Sequence, residues 1–431
     1  MRILESNRVP NPRQLLGRRG APGKAEASDL RVRDNPKAGL GLGPTVLVGI
    51  LLTAAYLPTR AYGGKQPPAT GAPRVIEQVT VFFEPGKFGG WPANHGIWAW
   101  GNEIVVGFSL GFYKDNGPGL HAIDHHRPEQ HVLARSLDGG HSWSLESPGR
   151  QGVLIGTSGM RHGTLPDDVH ETPPIDCPGG IDFTHPNFAL TVRMADINGG
   201  QSRFYYSLDR AHTWKGPFRL PLCGQSGIAA RTDYVVNGAR DCFLFVTASK
   251  QNGKEGRPIC IRTTDGARSW QFVSAIGPEP TGYAIMPSTV RLSATNLLTT
   301  IRRREERLEE RDAWIDAYMS GDNGAHWQFL TRAAPDLGEG NPPALVRLQD
   351  GRVCLTYGVR KPPYRMEARL SSDGGNSWSE PFVLRGDAAS RDIGYPRAVQ
   401  RTDGKVVSVY FFHDRTHAER TIQATIWDPG D

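Results

Sequence analysis

Proton-transferring and anion-binding side chains gather at two kinds of place in this 431-residue chain. One is the run His121-Ala122-Ile123-Asp124-His125-His126-Arg127, in which three imidazoles and a carboxylate lie close together. Such a run can move protons or ligate a metal, although its spacing matches no established metal-ligand motif. The other is a series of short polar stretches, each leading into an apolar strand-like run: Asn94-His95, His185-Pro186-Asn187, Arg231-Thr232-Asp233, Met286-Pro287-Ser288, Asn341-Pro342 and Asp392 to Arg397. Arginine in such places can grip a carboxylate bidentately, while His, Asp and Tyr can exchange protons with a substrate. These stretches lie far apart in sequence. They act together only if the fold carries them to one point.

The elements that could do so are written into the chain as a pattern repeated five times, most plainly Ser371-Ser372-Asp373-Gly374-Gly375-Asn376-Ser377-Trp378. The copies centre on Asp138, Asp209, Asp265, Asp322 and Asp373 and end at Trp143, Trp214, Trp270, Trp327 and Trp378. A recurrence of roughly 50 residues marks a repeat architecture. The Asp carboxylate can accept N–H groups of its own turn, glycine tolerates positive φ, and Trp begins a strand with a large apolar face for the neighbouring unit. Each unit reads as an inner strand, a tight turn, a second strand, a third strand ending in the pattern, and an outer strand. The turns are clearest at Asp350-Gly351 and Asp403-Gly404. Five equivalent carboxylates around a ring cannot converge on one substrate, so the pattern is a staple for hairpins.

The last unit, Tyr395 to Trp427, lacks the pattern, and the strand Val75 to Phe83 precedes the first complete unit. Pairing the two completes a sixth blade and removes the exposed sheet edges. The expected architecture is therefore all-β: a six-bladed β-propeller over residues 75–431, its last blade closed by the N-terminal strand. Before it come a basic leader (1–38) that reads as disordered, a segment (39–61) with the apolar core Val46 to Leu57 that reads as a signal peptide or an uncleaved anchor, and a linker (62–74). The expected location is secreted or periplasmic, with membrane contact only through that segment.

The formal net charge is +6. Ten Lys/Arg against four Asp/Glu between Met1 and Arg60 account for the whole excess, which leaves no nucleic-acid footprint on the folded part. The five cysteines have neither CxxC spacing nor His partners at zinc-site intervals. Cys242 and Cys260 fall on consecutive strands and could pair; the alternative is that all five are small buried hydrophobes. No phosphate-binding glycine loop lies between a strand and a helix, and the sequence calls for no cofactor or metal. Two segments exceed a plain blade: Gly156 to Gly180, a candidate rim or lid, and the charge run Arg302 to Arg311, which reads as a solvated hairpin.

The repeated pattern resembles the Asp-box of the sialidase-like β-propellers, over roughly residues 75 to 431. That resemblance implies a glycan-binding funnel at the heads of the inner strands and an exported glycosidase acting from the non-reducing end on a terminal acidic sugar, sialic acid first among them. It implies Asp124 as the acid, since the family's acid lies on the corresponding loop. Tyr395, in Gly394-Tyr395-Pro396, matches the family's tyrosine, which serves because a carboxylate nucleophile would be repelled by the carboxylate of the sugar. Arg303 matches one of the family's carboxylate-binding arginines, with Arg231 and Arg397 beside it. His95, His185, Asn341 and Asp392 complete the candidate site, Asp392 or His185 standing in as base. The chain departs from the family where Asn94-His95-Gly96-Ile97 replaces Arg-Ile-Pro and where Met286 replaces the glutamate that activates the tyrosine. Two other readings stay open: β-elimination from a uronate polysaccharide, with His95 or His185 and Tyr395 moving the proton, and a non-catalytic glycan- or protein-binding propeller.

Overall fold

A computed structural model describes residues 71–148, 154, 167, 170, 172–306 and 311–431. The leader, the apolar segment and most of the linker lie outside the described residues, as do most of 156–171 and part of the charge run at 307–310. Within the described residues six antiparallel sheets form the six blades of a propeller. The ring closes as the sequence predicts. Arg74–Phe82 pairs antiparallel with Thr421–Asp428, which continues to Val406–Phe412 and the inner strand Gly394–Gln400. The closing blade, blade 6, thus takes its outer strand from one end of the domain and its other three from the opposite end.

The other blades follow in chain order. Blade 1 has an inner strand in two pieces, Lys87–Gly90 and Ile97–Trp100, both bonded to Glu103–Phe112, then Gln130–Ser136 and Ser144–Glu146. Blade 3 repeats this with Ile228–Ala229 and Tyr234–Gly238 on Asp241–Ser249, then Glu255–Thr263 and Gln271–Ala275. Blade 4 is Tyr283–Arg291, Leu297–Glu306, Arg311–Ser320 and Gln328–Ala334. Blade 5 is Ala344–Arg347, Val353–Val359, Arg365–Ser371 and Phe382–Arg385. Second strands pack on both faces and read as continuous apolar runs; every residue of Val353–Val359 and of Val406–Phe412 is buried.

Blade 2 departs from the expectation of an inner strand after His185-Pro186-Asn187. Its described strands are three: Ala189–Arg193, Arg203–Ser207 and Lys215–Arg219. Ala189–Arg193 plays the part of a second strand, entered from the Asp-box end and leaving Arg193 at the opposite end. The Asp209 turn confirms the direction: the Arg210 N–H donates to the Asn187 carbonyl at 3.0 Å.

All five Asp-box turns have the expected chemistry. In the first, Asp138 accepts the N–H of Ser142 at 2.9 Å and its hydroxyl at 2.5 Å, and the Ser136 hydroxyl donates to the same carboxylate at 2.8 Å. The fourth copy carries His326 where the others have Ser or Thr, and its Nδ1 meets Asp322 at 2.6 Å, so an imidazole replaces the hydroxyl. Each Trp packs against the preceding blade: Trp214 on Trp98 at 5.5 Å, Trp270 on Phe204 at 6.0 Å and Trp327 on Phe245 at 6.1 Å between ring centroids. All five cysteines are free. Cys242 lies opposite Thr263 and Cys260 opposite Phe245, a register that keeps the two thiols apart.

Candidate functional site

At the end of the ring opposite the Asp-boxes, the heads of the inner strands and the loops between second and third strands surround a cavity of about 710 Å³. That is ample for a sugar. Its wall carries six arginines and two lysines against three glutamates, a lining that attracts anions. Three of those cations stand at one place in the repeat. Arg193, Lys250 and Arg360 lie at or next to the end of the second strand of blades 2, 3 and 5, while Arg302 lies inside the longer second strand of blade 4, and all four line the cavity.

Tyr395 sits among the arginines. Its backbone takes φ 50°, a conformation costly for a bulky residue. Asn341 holds it there: its amide oxygen accepts the Tyr395 N–H at 2.8 Å, and its NH₂ donates to the Ile393 carbonyl at 3.0 Å. Gly394, at φ 103°, has no room for a Cβ, which would fall 2.1 Å from the Asn341 amide. This bulge at the head of the inner strand places the phenol against Arg302, whose Nη1 donates to the Tyr395 hydroxyl at 3.2 Å. The Arg360 guanidinium lies 5.2 Å from the ring centre, anchored by two bonds to the Ile393 carbonyl. Burial alone would raise the phenol pKa. The positive charges of Arg302, Arg360 and Arg231 outweigh it, and the phenol is held below its ordinary value. Arg231 is itself paired with Glu255 and bonded to the Asn94 side chain at 3.2 Å.

Blade 1 supplies the facing wall. Trp91 takes φ 57° ahead of Pro92, as Met286 and Tyr395 do ahead of Pro287 and Pro396 at φ 56° and φ 50°. The same left-handed residue before proline thus splits the inner strand of blade 1 and puts a bulge in those of blades 4 and 6. In blade 1 a single 3-10 turn, Pro92–Asn94, follows and delivers Asn94 and His95 to the cavity. His95 Nε2 meets the Ser109 hydroxyl at 3.1 Å, and its ring packs edge-on against His131. Burial and the Arg193 charge hold both imidazoles well below their ordinary pKa, with His131 adding to the effect on His95 and Arg203 to that on His131, so both rings are neutral at neutral pH. Beside them is Glu129, buried and lining the cavity. Burial pushes its carboxyl up to about 8, an effect that Ser109 only partly offsets. At neutral pH this carboxyl holds its proton.

Of the residues singled out in the sequence, the structure brings Tyr395, Arg231, Asn94, His95, His121 and His125 to the cavity wall. It places the others elsewhere. Asp124 turns into its own loop, where it accepts the His126 N–H at 3.1 Å and faces Lys114 at 3.8 Å, and it does not line the cavity. Arg303 points to the opposite face of its strand from Arg302, donating to the Tyr318 hydroxyl at 2.9 Å; the residue on the wall is its neighbour. Arg397 runs beneath the floor and bonds the Ala93 and Thr232 carbonyls, tying blades 1, 3 and 6 together. Asn341 is a buried brace for Tyr395, and Asp392 is a buried carboxylate bonded to His121 and Arg420. His185 lies at the Asp-box end, its Nδ1 accepting the Asn187 N–H at 3.2 Å.

The sequence reading missed Arg302, Arg360, Arg193 and Glu129 as wall residues, and within the run His121 to Arg127 it chose Asp124 where His121 and His125 line the cavity. A signal for two of the arginines was present: the second strands of blades 2, 3 and 5 end at or next to a cation, Arg193, Lys250 and Arg360. Among the described residues no group of three or more His, Cys, Asp or Glu is arranged to hold a metal.

Comparison with known proteins adds the following. The profile of a family described as BNR repeat-like domain matches residues 188–407. A protein of unknown function from Dyadobacter fermentans is similar in structure, with TM-score 0.62, 17% identity, and 83% of this chain and 99% of that one covered. So is the NanB sialidase of Streptococcus pneumoniae, with TM-score 0.52, 10% identity, and 81% and 70% covered. An alpha-L-arabinanase of Penicillium chrysogenum, solved with arabinobiose, gives TM-score 0.52, 11% identity, and 83% and 99% covered. At these identities the likeness is one of fold. No curated protein matches the sequence.

Proposed function

The chain belongs to the BNR repeat-like family, and from that membership we propose that it is a glycoside hydrolase that removes a terminal acidic sugar, sialic acid favoured, from the non-reducing end of a glycan. The observation that carries this reading is the Tyr395 phenol, held below its ordinary pKa and bonded to Arg302 in a cation-lined cavity. Arg302 and Arg360 receive the sugar carboxylate, which a planar guanidinium binds with two parallel bonds. The phenol then attacks the anomeric carbon without the repulsion a carboxylate would meet. Glu129 is the acid in this reading. It keeps a proton at neutral pH and can deliver it to the glycosidic oxygen as the bond to the aglycone breaks. Export directed by the apolar run Val46 to Leu57 belongs to the same proposal; mass spectrometry of the N-terminus of protein recovered outside the cytoplasm tests it.

The deciding experiment compares release of a fluorogenic aglycone from a sialoside and from uronides by the protein and by Tyr395→Phe. Sialoside turnover that the substitution abolishes supports the reading. Equal rates for both proteins, or no release from any acidic sugar, would overturn it. The second reading, β-elimination from a uronate glycan, is favoured by one observation: the neutral His95 and His131 beside the cavity can accept a proton. Its product absorbs in the near ultraviolet, and the same assay detects it.

A further inference from the structure

One pair of side chains at the cavity has the geometry of a proton acceptor with its orienting carboxylate, and nothing above gives it a task. His121 lies on the loop between the second and third strands of blade 1, and Asp392 in the segment that leads into blade 6. His121 Nδ1 stands 2.5 Å from one Asp392 oxygen. The other oxygen accepts the Ala122 N–H at 3.0 Å and the Arg420 Nε–H at 2.9 Å. Asp392 is 1% exposed, and with these donors around it the carboxylate is held far below its usual range despite its burial. An ionised carboxylate only accepts, so the proton of the pair sits on Nδ1 and the lone pair of the neutral ring sits on Nε2. The ring plane is fixed edge-on against Trp91, 5.2 Å away at 84°, and against Tyr395, 6.5 Å away at 80°. His121 belongs to the cavity wall, and 22% of its side chain stays exposed while its Nδ1 edge is closed off by Asp392. The charged and titratable groups around it are Asp392, Arg360, Arg391 and Tyr395, with Arg420 and His413 behind the carboxylate. Burial, Arg360 and Arg391 together outweigh Asp392, so the ring is neutral at neutral pH.

We infer that His121 accepts the phenolic proton of Tyr395 and that Asp392 is the positioning residue that presents it; this rests on the reading of Tyr395 as the nucleophile. In the first half of the reaction the Tyr395 oxygen bonds to the anomeric carbon as its proton passes to His121 Nε2. The glycosidic C–O bond breaks with its electron pair on the aglycone oxygen, which takes the Glu129 proton. In the second half water attacks the anomeric carbon and gives a proton to the Glu129 carboxylate. The phenolate leaves and recovers its proton from the His121 imidazolium. Both residues end as they began. The same pair could simply dock the blade 1 loop on blade 6, a role that requires no particular tautomer and no effect on the chemical step.

The test uses the full chain and a sialoside with an activated phenolic leaving group, whose departure needs little help from an acid. His121→Ala should lower kcat by about 10²–10⁴-fold, with KM within about threefold, and added imidazole should restore part of the rate. The low-pH limb of kcat/KM should vanish with the ring, and Asp392→Asn should shift that limb. Nitrogen NMR of the wild-type protein reads the tautomer without any variant, and Nδ1–H is expected. Unchanged kcat in a folded His121→Ala, or an Nε2–H or protonated ring near pH 7 in the wild type, overturns the inference even if Tyr395→Phe is dead. Absence of turnover of any acidic sugar by the wild type removes the proposed function, and the inference with it.

Discussion

The two ends of the ring use the same residue types in opposite ways. At the Asp-box end, every carboxylate of the repeat is met by donors of its own turn. Burial pushes the Asp138 carboxyl up, and the Ser142, Ser136 and His141 donors together outweigh it and bring it down to about 2. At the cavity end, Glu129 is pushed up to about 8 by burial, and cations outnumber carboxylates on the wall. A satisfied carboxylate stabilises the fold, and its contribution repeats around the ring. A carboxyl forced to keep its proton opposes folding as pH rises, and of the three among the described residues that burial leaves raised, Glu129, Asp233 and Asp316, only Glu129 lines the cavity. Between Asp138 and Glu129 the difference lies in the sign of the pKa shift, set by surroundings rather than by residue type.

The sharpest way to break this comparison is Glu129→Gln. Turnover of a glycoside with a poor leaving group should fall by about 10²–10⁴-fold, and wild-type turnover should decline as pH rises through about 8, where Glu129 loses its proton. Stability should move the other way. A carboxyl whose folded pKa is raised contributes stability that is full below its unfolded value, near 4.5, and is lost as pH rises toward 8. Wild type should therefore lose melting temperature across that window and the variant should not, so that at pH 8 the inactive protein is the more stable. Matching melting curves from pH 4.5 to 8 would show that burial does not hold the Glu129 proton.

Next in size is Arg302→Met. It removes a guanidinium bonded to the Tyr395 hydroxyl and meant for the sugar carboxylate. We expect kcat/KM on an acidic sugar to drop by roughly 30-fold or more, the equivalent of the 2–5 kcal/mol lost when one side of a buried charge pair is truncated. An ultraviolet titration of Tyr395 should show its pKa rising, because the first of the three positive charges that hold it down has gone. Arg303→Met, one position along, should leave both readings unchanged.

That neighbouring pair also shows what the sequence could and could not say. The propeller and its closure were legible, because each Asp-box is a local turn whose residue types state their own geometry, and an unpaired strand at one end required a partner at the other. Tyr395 was legible as the head of an inner strand. Arg302 was read as Arg303 because side chains alternate along a strand, and a slip of one residue exchanges the two faces. The bulge at Met286-Pro287, where the register skips from Ile285 to Ser288, is what such counting cannot see. Glu129 was hidden for another reason: its chemistry comes from burial, which leaves no mark in the local sequence. His121 was visible in the His/Asp run, but its partner Asp392 lies 271 residues away, so the choice within the run fell on Asp124. His185 failed because blade 2 is entered from the opposite end.

A smaller effect tests the scaffold end. Asp138→Ala removes an acceptor from its turn and should cost about 1 kcal/mol, held to that figure because the carboxylate is exposed. The sign with pH is the reverse of that for Glu129. A depressed pKa contributes stability above its unfolded value, near 3.8, and loses it as pH falls through about 2. The gap between Asp138→Ala and wild type should therefore close in strong acid, while turnover per folded molecule stays at the wild-type level throughout.

The smallest effect is expected where sequence reasoning placed the acid. Asp124 accepts one backbone N–H at 3.1 Å and faces a half-exposed Lys114 at 3.8 Å. An exposed pair of that kind contributes about 0.2–1 kcal/mol, and Asp124→Asn should keep turnover within about twofold of wild type. The measurement matters because Asp124 and Glu129 sit on one loop, five positions apart, and differ mainly in what surrounds them. If Asp124→Asn were as inactive as Glu129→Gln, the loop would have to turn over on binding substrate and bring the Asp124 carboxyl to the glycosidic oxygen. A carboxylate outside the cavity wall would then be the acid, and the assignment of that role to the buried Glu129 would fail at the residue where it is easiest to check.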